Sequence, residues 1–272
     1  MFTPIFSQNP GLIFSPPQAL RLGVFLITLY TGLTASAGPL PQDRPRGIVA
    51  RAEEEVRIDG VLNEDSWGRA TPLGPLTMIE PIEGAPPTAA TEIRVMADVR
   101  NLYVGIWAHD DNPAEIVSYS KARDSRLRSE DHIKIIVDPY LDGQSGFVFA
   151  INPAGARYDA LIAGQGTREN SSWDAVWEVG TSTDADGWSA EFRIPYSQLR
   201  FRDTAVQTWG INFLRNIARH DETAVWAPVK REDSAIVSKF GELQGLRDLK
   251  APTRMEIAPY SLARLDRSPG DA

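Results

Sequence analysis

The sequence predicts an all-β fold, an antiparallel β-sandwich of jelly-roll type with one or two short helical turns. Apolar and polar residues alternate with a period of two over roughly ten short runs, and no long segment keeps a helical period. Between those runs the chain is punctuated by Gly and Pro, 21 and 20 of 272 residues. Hydrophobic residues make up 42% and charged residues 24%, which excludes a collagen-like, low-complexity or wholly disordered chain. With no cysteine, disulfides, thiolate catalysis and Cys-ligated metal centres are excluded. A formal charge of -8, from 28 bases against 36 acids, removes the electrostatic basis for general nucleic-acid binding.

Residues 1–37 read as an export signal. Arg21 precedes the uncharged stretch Leu22 to Tyr30, and Ala35-Ser36-Ala37 supplies a small-residue cleavage site. The mature chain is therefore expected to be periplasmic, outer-membrane-associated or secreted. An uncleaved anchor is the competing reading, although the apolar stretch is short for a span of ~20 residues. Residues 38–50, rich in Pro, Gly and Arg, read as a linker, and the sandwich is expected over 51–250.

Val56-Arg57-Ile58-Asp59-Gly60 predicts a strand entering a turn, after which Asn63 is expected to cap a short helical turn that turns Trp67 inward. The alternation of Ile93, Val95 and Ala97 with Leu102, Val104, Ile106 and Ala108 predicts a hairpin. A second hairpin pairs His132–Val137 with Phe147–Ile151. Further strands are expected over 157–162, 175–179, 188–194, 209–217, 223–227 and 240–246. Parity places Trp188 with Ala190, Phe192 and Ile194, and Trp209 with Ile211, Phe213 and Arg215, so both indoles read as core. A last alternating fragment, Met255 to Ala263, reads as the opening strand of a further domain over 251–272, with no partner in the sequence.

Five of seven Trp residues fall between Trp173 and Trp226. Indole faces stack on the C–H faces of sugars, while amides, carboxylates and guanidinium groups orient the hydroxyls. Trp173, in the polar run from Glu169 to Asp174, is the first stacking candidate, followed by Trp177 and Trp107; Asn170, Asp174 and Arg123 are the candidate polar partners. Asp110, Asp111, Asp184 and Asp186 are candidate ligands for a structural calcium ion, although they read first as ordinary turn formers. His109 with Met96 or Met78 offers an axial pair for haem, but the C-x-x-C-H attachment motif is absent. No hydrolase, zinc-protease, P-loop or dinucleotide motif occurs.

The series Ile58-Asp59-Gly60 through Ser66-Trp67, Asn101-Leu102-Tyr103-Val104, Asp131 through Asp138, Asn152-Pro153-Ala154-Gly155, Gly187 through Pro195 and Trp209 through Arg215 resembles the family 9 carbohydrate-binding modules of the DOMON-like superfamily. The resemblance covers roughly residues 50–248. It implies a β-sandwich, binding of an oligo- or polysaccharide linked to polysaccharide breakdown, and structural calcium. Bacterial look-alikes place such a sandwich before a barrel-like domain of unknown function, which implies outer-membrane association. A non-catalytic binding module is the expected function. The alternatives are an accessory domain of a membrane barrel without sugar specificity, a glycoside hydrolase, and a haem-binding electron-transfer domain.

Overall fold

A computed structural model describes residues 44–250. The export-signal reading of 1–37 and the Met255 to Ala263 fragment lie outside the described residues. In chain order the elements are β1 (Arg46–Ile48), β2 (Ala50–Arg51), α1 (Asp65–Arg69), β3 (Thr77–Glu80), β4 (Thr91–Ala97), β5 (Asn101–His109), β6 (His132–Asp138), β7 (Gly146–Ile151), β8 (Arg157–Ala163), β9 (Arg168–Asn170), β10 (Glu178–Asp184), β11 (Gly187–Pro195), β12 (Val206–Ile217), β13 (Glu222–Val225) and β14 (Gly241–Arg247), with short 3-10 turns between them. A nine-stranded sheet runs β1-β14-β12-β6-β7-β8-β9, and β13 joins β12 to β3; a five-stranded sheet runs β10-β11-β5-β4-β2.

The predicted alternation builds the core between these layers. Ile93, Val95, Val104, Ile106, Phe192 and Ile194 of the smaller sheet meet Ile133, Ile135, Val137, Phe149, Ile211 and Phe213 of the larger. Both predicted hairpins form, in register from Thr91↔Ala108 to Ala97↔Leu102 and from Ile133↔Ile151 to Val137↔Phe147. Trp188 and Trp209 are 3% and 0% exposed, on the faces that parity assigned. Every pairing is antiparallel except β1 on β14 and β2 on β4.

Those two exceptions correct the linker. Residues 46–51 cross from the large sheet to the small one as strands, because ladder pairing uses main-chain groups that side-chain polarity does not report. Gly47 allows the close approach, since a Cβ there would stand 2.5 Å from Leu73. The segment 56–60 is not a strand either. The Asp59 and Gly60 N–H groups donate to Glu191 Oε2, at 3.1 and 2.9 Å, in place of a neighbouring strand. Helix α1 is capped by Glu64 and not by Asn63, without a side-chain capping bond. Trp67 does turn inward, 1% exposed, and its Nε1 donates to Glu191 Oε1 at 2.9 Å. With Val56, Met96 and Tyr103 it forms a second cluster on the outer face of the five-stranded sheet. β10 begins at Glu178 and not at Ala175, because the Ala175 and Val176 N–H groups donate to Asp159 and Gln198 side chains.

Gly60 sits at φ +86, and a Cβ there would lie 2.4 Å from the Thr181 main chain. Gly60→Ala is therefore expected to lower stability by more than about 1 kcal/mol in chemical denaturation, whereas an unstrained site would gain from alanine. Among the described residues, no helix is long and apolar enough to cross a membrane.

Candidate functional site

Five indoles, Trp67, Trp177, Trp188, Trp209 and Trp226, are buried; Trp107 and Trp173 are half-buried. Trp177 is thereby corrected from a stacking surface to a core residue. It lies parallel to Phe192 with ring centroids 5.8 Å apart and edge-on to Phe149, and its Nε1 donates to Asp159 Oδ1 at 3.2 Å. Trp107 is also separated from the other candidates. It occupies the outer face of the five-stranded sheet beside the Trp67 cluster, with the Arg94 guanidinium 5.6 Å from its ring. Trp173 closes the edge of the main core against Phe147 and Phe149, at centroid distances of 5.3 and 6.0 Å, and part of its ring stays accessible.

Arg123, Asp174 and Trp177, expected as ligand contacts, do come together, around a residue that sequence reasoning did not single out. Asp159 points inward from β8 and is 0% exposed. It accepts from Arg123 Nη2 at 2.7 Å, from the Ala175 N–H at 2.7 Å and from Trp177 Nε1 at 3.2 Å. Arg123 also donates to the Ala175 carbonyl and pairs with Asp174 at 3.2 Å. A buried carboxylate so fully engaged is a clamp that ties the 123 and 174–177 segments to β8. Asn170 stands apart on β9, where its Oδ1 accepts from the Ser172 N–H.

An open surface lined by an aromatic ring and several charged groups lies on the outer face of the nine-stranded sheet. Alternation that sends Ile133, Ile135 and Val137 inward sends His132 and Lys134 of β6 outward, with Ala150 of β7 and Tyr158 of β8 beside them. One part of this face is covered, where Ile136, Val148, Ala160 and Ile162 pack beneath Val237 and Phe240. The other is a cavity of about 360 Å³ that these residues line together with Asp124, Ser125, Arg126, Leu127, Arg128, Glu169 and Ser171. Leu127 packs against Ala150 and Ala156, which anchors the loop and holds Arg126 and Arg128 at the cavity wall.

Burial sets the charge state inside this cavity. It lowers His132 to about 4, so the ring is neutral near pH 7, and Nδ1 lies 2.9 Å from the Glu130 carbonyl as its donor. Burial also holds the Lys134 ammonium below its ordinary range; nearby Arg128 acts in the same direction and Glu169 against it. Tyr158 Oη donates to Glu169 Oε1, and burial with that carboxylate raises the phenol. The arrangement presents one aromatic ring, three cations, two carboxylates and a neutral imidazole to a ligand.

The acids proposed for calcium meet at one end of the β5–β11 pair, where the Asp110 N–H donates to the Asp186 carbonyl at 2.9 Å, but their side chains do not converge. Both oxygens of Asp110 accept from Arg219, at 2.8 Å each, and that guanidinium outweighs burial and keeps the carboxyl below its usual range. Asp111, Asp184 and Asp186 are exposed, and Asp184 accepts from the Asp186 N–H in a turn. Among the described residues, no group of three or more acidic or histidine side chains converges to hold a metal ion. The pairing of His109 with Met96 does not form either. His109 is exposed at one end of the β4–β5 hairpin, and Met96 is buried six residues further along, about 20 Å away at strand spacing; Met78 is buried in the other sheet.

No family model matches the chain, and no curated protein matches it. Solved structures do match, and they define the fold as that of the family 9 carbohydrate-binding modules. A family 9 module from Caldicellulosiruptor kristjanssonii in complex with cellotriose aligns with a TM-score of 0.51 at 20% identity, covering 79% of this chain and 99% of that one. The structure with glucose gives 0.52 at 20% identity over 79% and 100%. A Bacteroides uniformis protein assigned provisionally to carbohydrate binding gives 0.58 at 14% identity over 74% and 99%.

Sequence reasoning passed over Arg126, Arg128, Lys134, Tyr158 and Glu169, which line the cavity. A signal was present. Lys121, Arg123, Arg126 and Arg128 place four bases in eight residues of an acidic chain, immediately before a strand whose polar alternates are His132 and Lys134.

Proposed function

We propose that the chain is an extracytoplasmic, non-catalytic carbohydrate-binding module acting in polysaccharide breakdown, and that it holds its saccharide in the outer-face cavity. The observation that carries this reading is the convergence of the Tyr158 ring with charged and hydroxyl-bearing groups around about 360 Å³, within the range of small-ligand sites. Tyr158 supplies apolar area for a pyranose face, while Ser125, His132, Lys134 and Glu169 supply donors and acceptors for its hydroxyls. The shared fold with modules solved in complex with cellotriose and glucose supports the same reading. Export follows from the signal-like residues 1–37.

Titration against an array of neutral and acidic oligosaccharides tests this reading in three proteins. Tyr158→Ala is expected to weaken binding about tenfold or more, as loss of an aromatic anchor does. Trp173→Ala is expected to lower stability and leave affinity intact in the folded fraction. The reverse pattern would move the site to the sheet edge beside the Asp159 clamp.

A further inference from the structure

We infer that the outer-face cavity selects an acidic saccharide, one bearing a carboxylate such as a uronic acid. This rests on the reading above and names its ligand class. The cavity gathers Arg126, Arg128 and Lys134 in a chain whose formal charge is -8. None of the three makes an ion pair or a side-chain hydrogen bond among the described residues. Of the two carboxylates present, Asp124 stands 3.8 Å from Arg123 Nε, while Glu169 accepts from Tyr158 and keeps its charge, so the three cations remain in excess. His132 is neutral near pH 7 and adds no charge.

Lys134 is the informative group. It rises from β6 between buried strands, and Arg128 across the cavity adds to the cost of its charge while Glu169 relieves part of it. A partly desolvated ammonium without a bound counter-ion is costly, and a ligand carboxylate removes that cost. Sugar hydroxyls would accept hydrogen bonds from Lys134 and the guanidinium groups but would leave the charge uncompensated. A carboxylate would also pair with arginine in bidentate geometry, so one ligand group meets both chemistries.

Calorimetric titration of the full chain compares mixed-linkage uronic-acid oligosaccharides with their carboxyl-reduced counterparts and with inorganic sulfate. The acidic oligosaccharides are expected to bind at least tenfold more tightly than the reduced ones, with affinity falling as salt is raised. Lys134→Met and the exposed Arg128→Gln are each expected to remove that preference, so that acidic and reduced sugars bind the variant with equal affinity. Equal affinity for acidic and reduced sugars would overturn the inference and leave saccharide binding intact. Sulfate binding as tightly as the acidic sugars would overturn it in favour of a bare anion site. Binding of neither sugar class would end both readings together.

Discussion

Asp159→Ala is expected to cost about 2–3 kcal/mol of folding stability, the cost of leaving buried donors unsatisfied, since the Arg123 side chain is 34% exposed and can turn to water. The carboxylate is fully buried and accepts from Arg123, from the Ala175 N–H and from Trp177 Nε1, so its removal strands the last two donors in the core. Arg123 keeps Asp174 as a partner, but that side chain is 76% exposed and compensates little. Asp159→Asn retains one acceptor oxygen and is expected to fall between alanine and wild type. Urea denaturation reads the effect as a lower midpoint at unchanged slope. A loss under about 1 kcal/mol would show that the clamp is ornamental, and the 123 and 174–177 segments would regain a claim to ligand binding.

The second large effect is a pair of opposed pH dependences. Burial lowers His132 from 6.5 to about 4, so the unfolded chain takes up the proton first on acidification. The resulting stability, about 3 kcal/mol, is present above pH 6.5 and lost as pH falls to about 4. Burial raises Glu191 from 4.5 to about 7, against the pull of the Trp67, Gly60 and Asp59 N–H donors. Here the folded state binds the proton first, so the contribution is present below pH 4.5 and lost as pH rises through 7. The two slopes oppose each other over the same window. Relative to wild type, His132→Gln is therefore expected to gain stability as pH falls from 6.5 to 4, and Glu191→Gln to gain as pH rises from 4.5 to 7. Denaturation midpoints across pH 4–8 check both signs; differences that do not change with pH would contradict them.

The parts of the fold legible in the sequence were those written in local alternation. Trp188 and Trp209 sit in strands whose neighbours two residues away are apolar, so parity alone placed them inside. The segments misread were those whose main chain bonds to side chains far away in sequence. Asp59 and Gly60 are held by Glu191, and Ala175 by Asp159, which no local period encodes. The candidate site was hidden for the same reason. Lys134, Tyr158 and Glu169 come from three strands, and only the β6-β7-β8-β9 order brings them to one face. Arg123 belongs to the basic run that supplies Arg126 and Arg128, but a charge run does not reveal which base an inward acid will claim.

Chemical-shift mapping during titration with an oligosaccharide from the array tests the location of the site most directly. The expected result is that shifts concentrate at residues 124–128, 132, 134, 150, 158, 169 and 171, the wall and floor of the outer-face cavity. Shifts centred on Trp107 and Arg94, on the opposite sheet, would contradict the account, as would shifts confined to Trp173 and the Asp159 clamp.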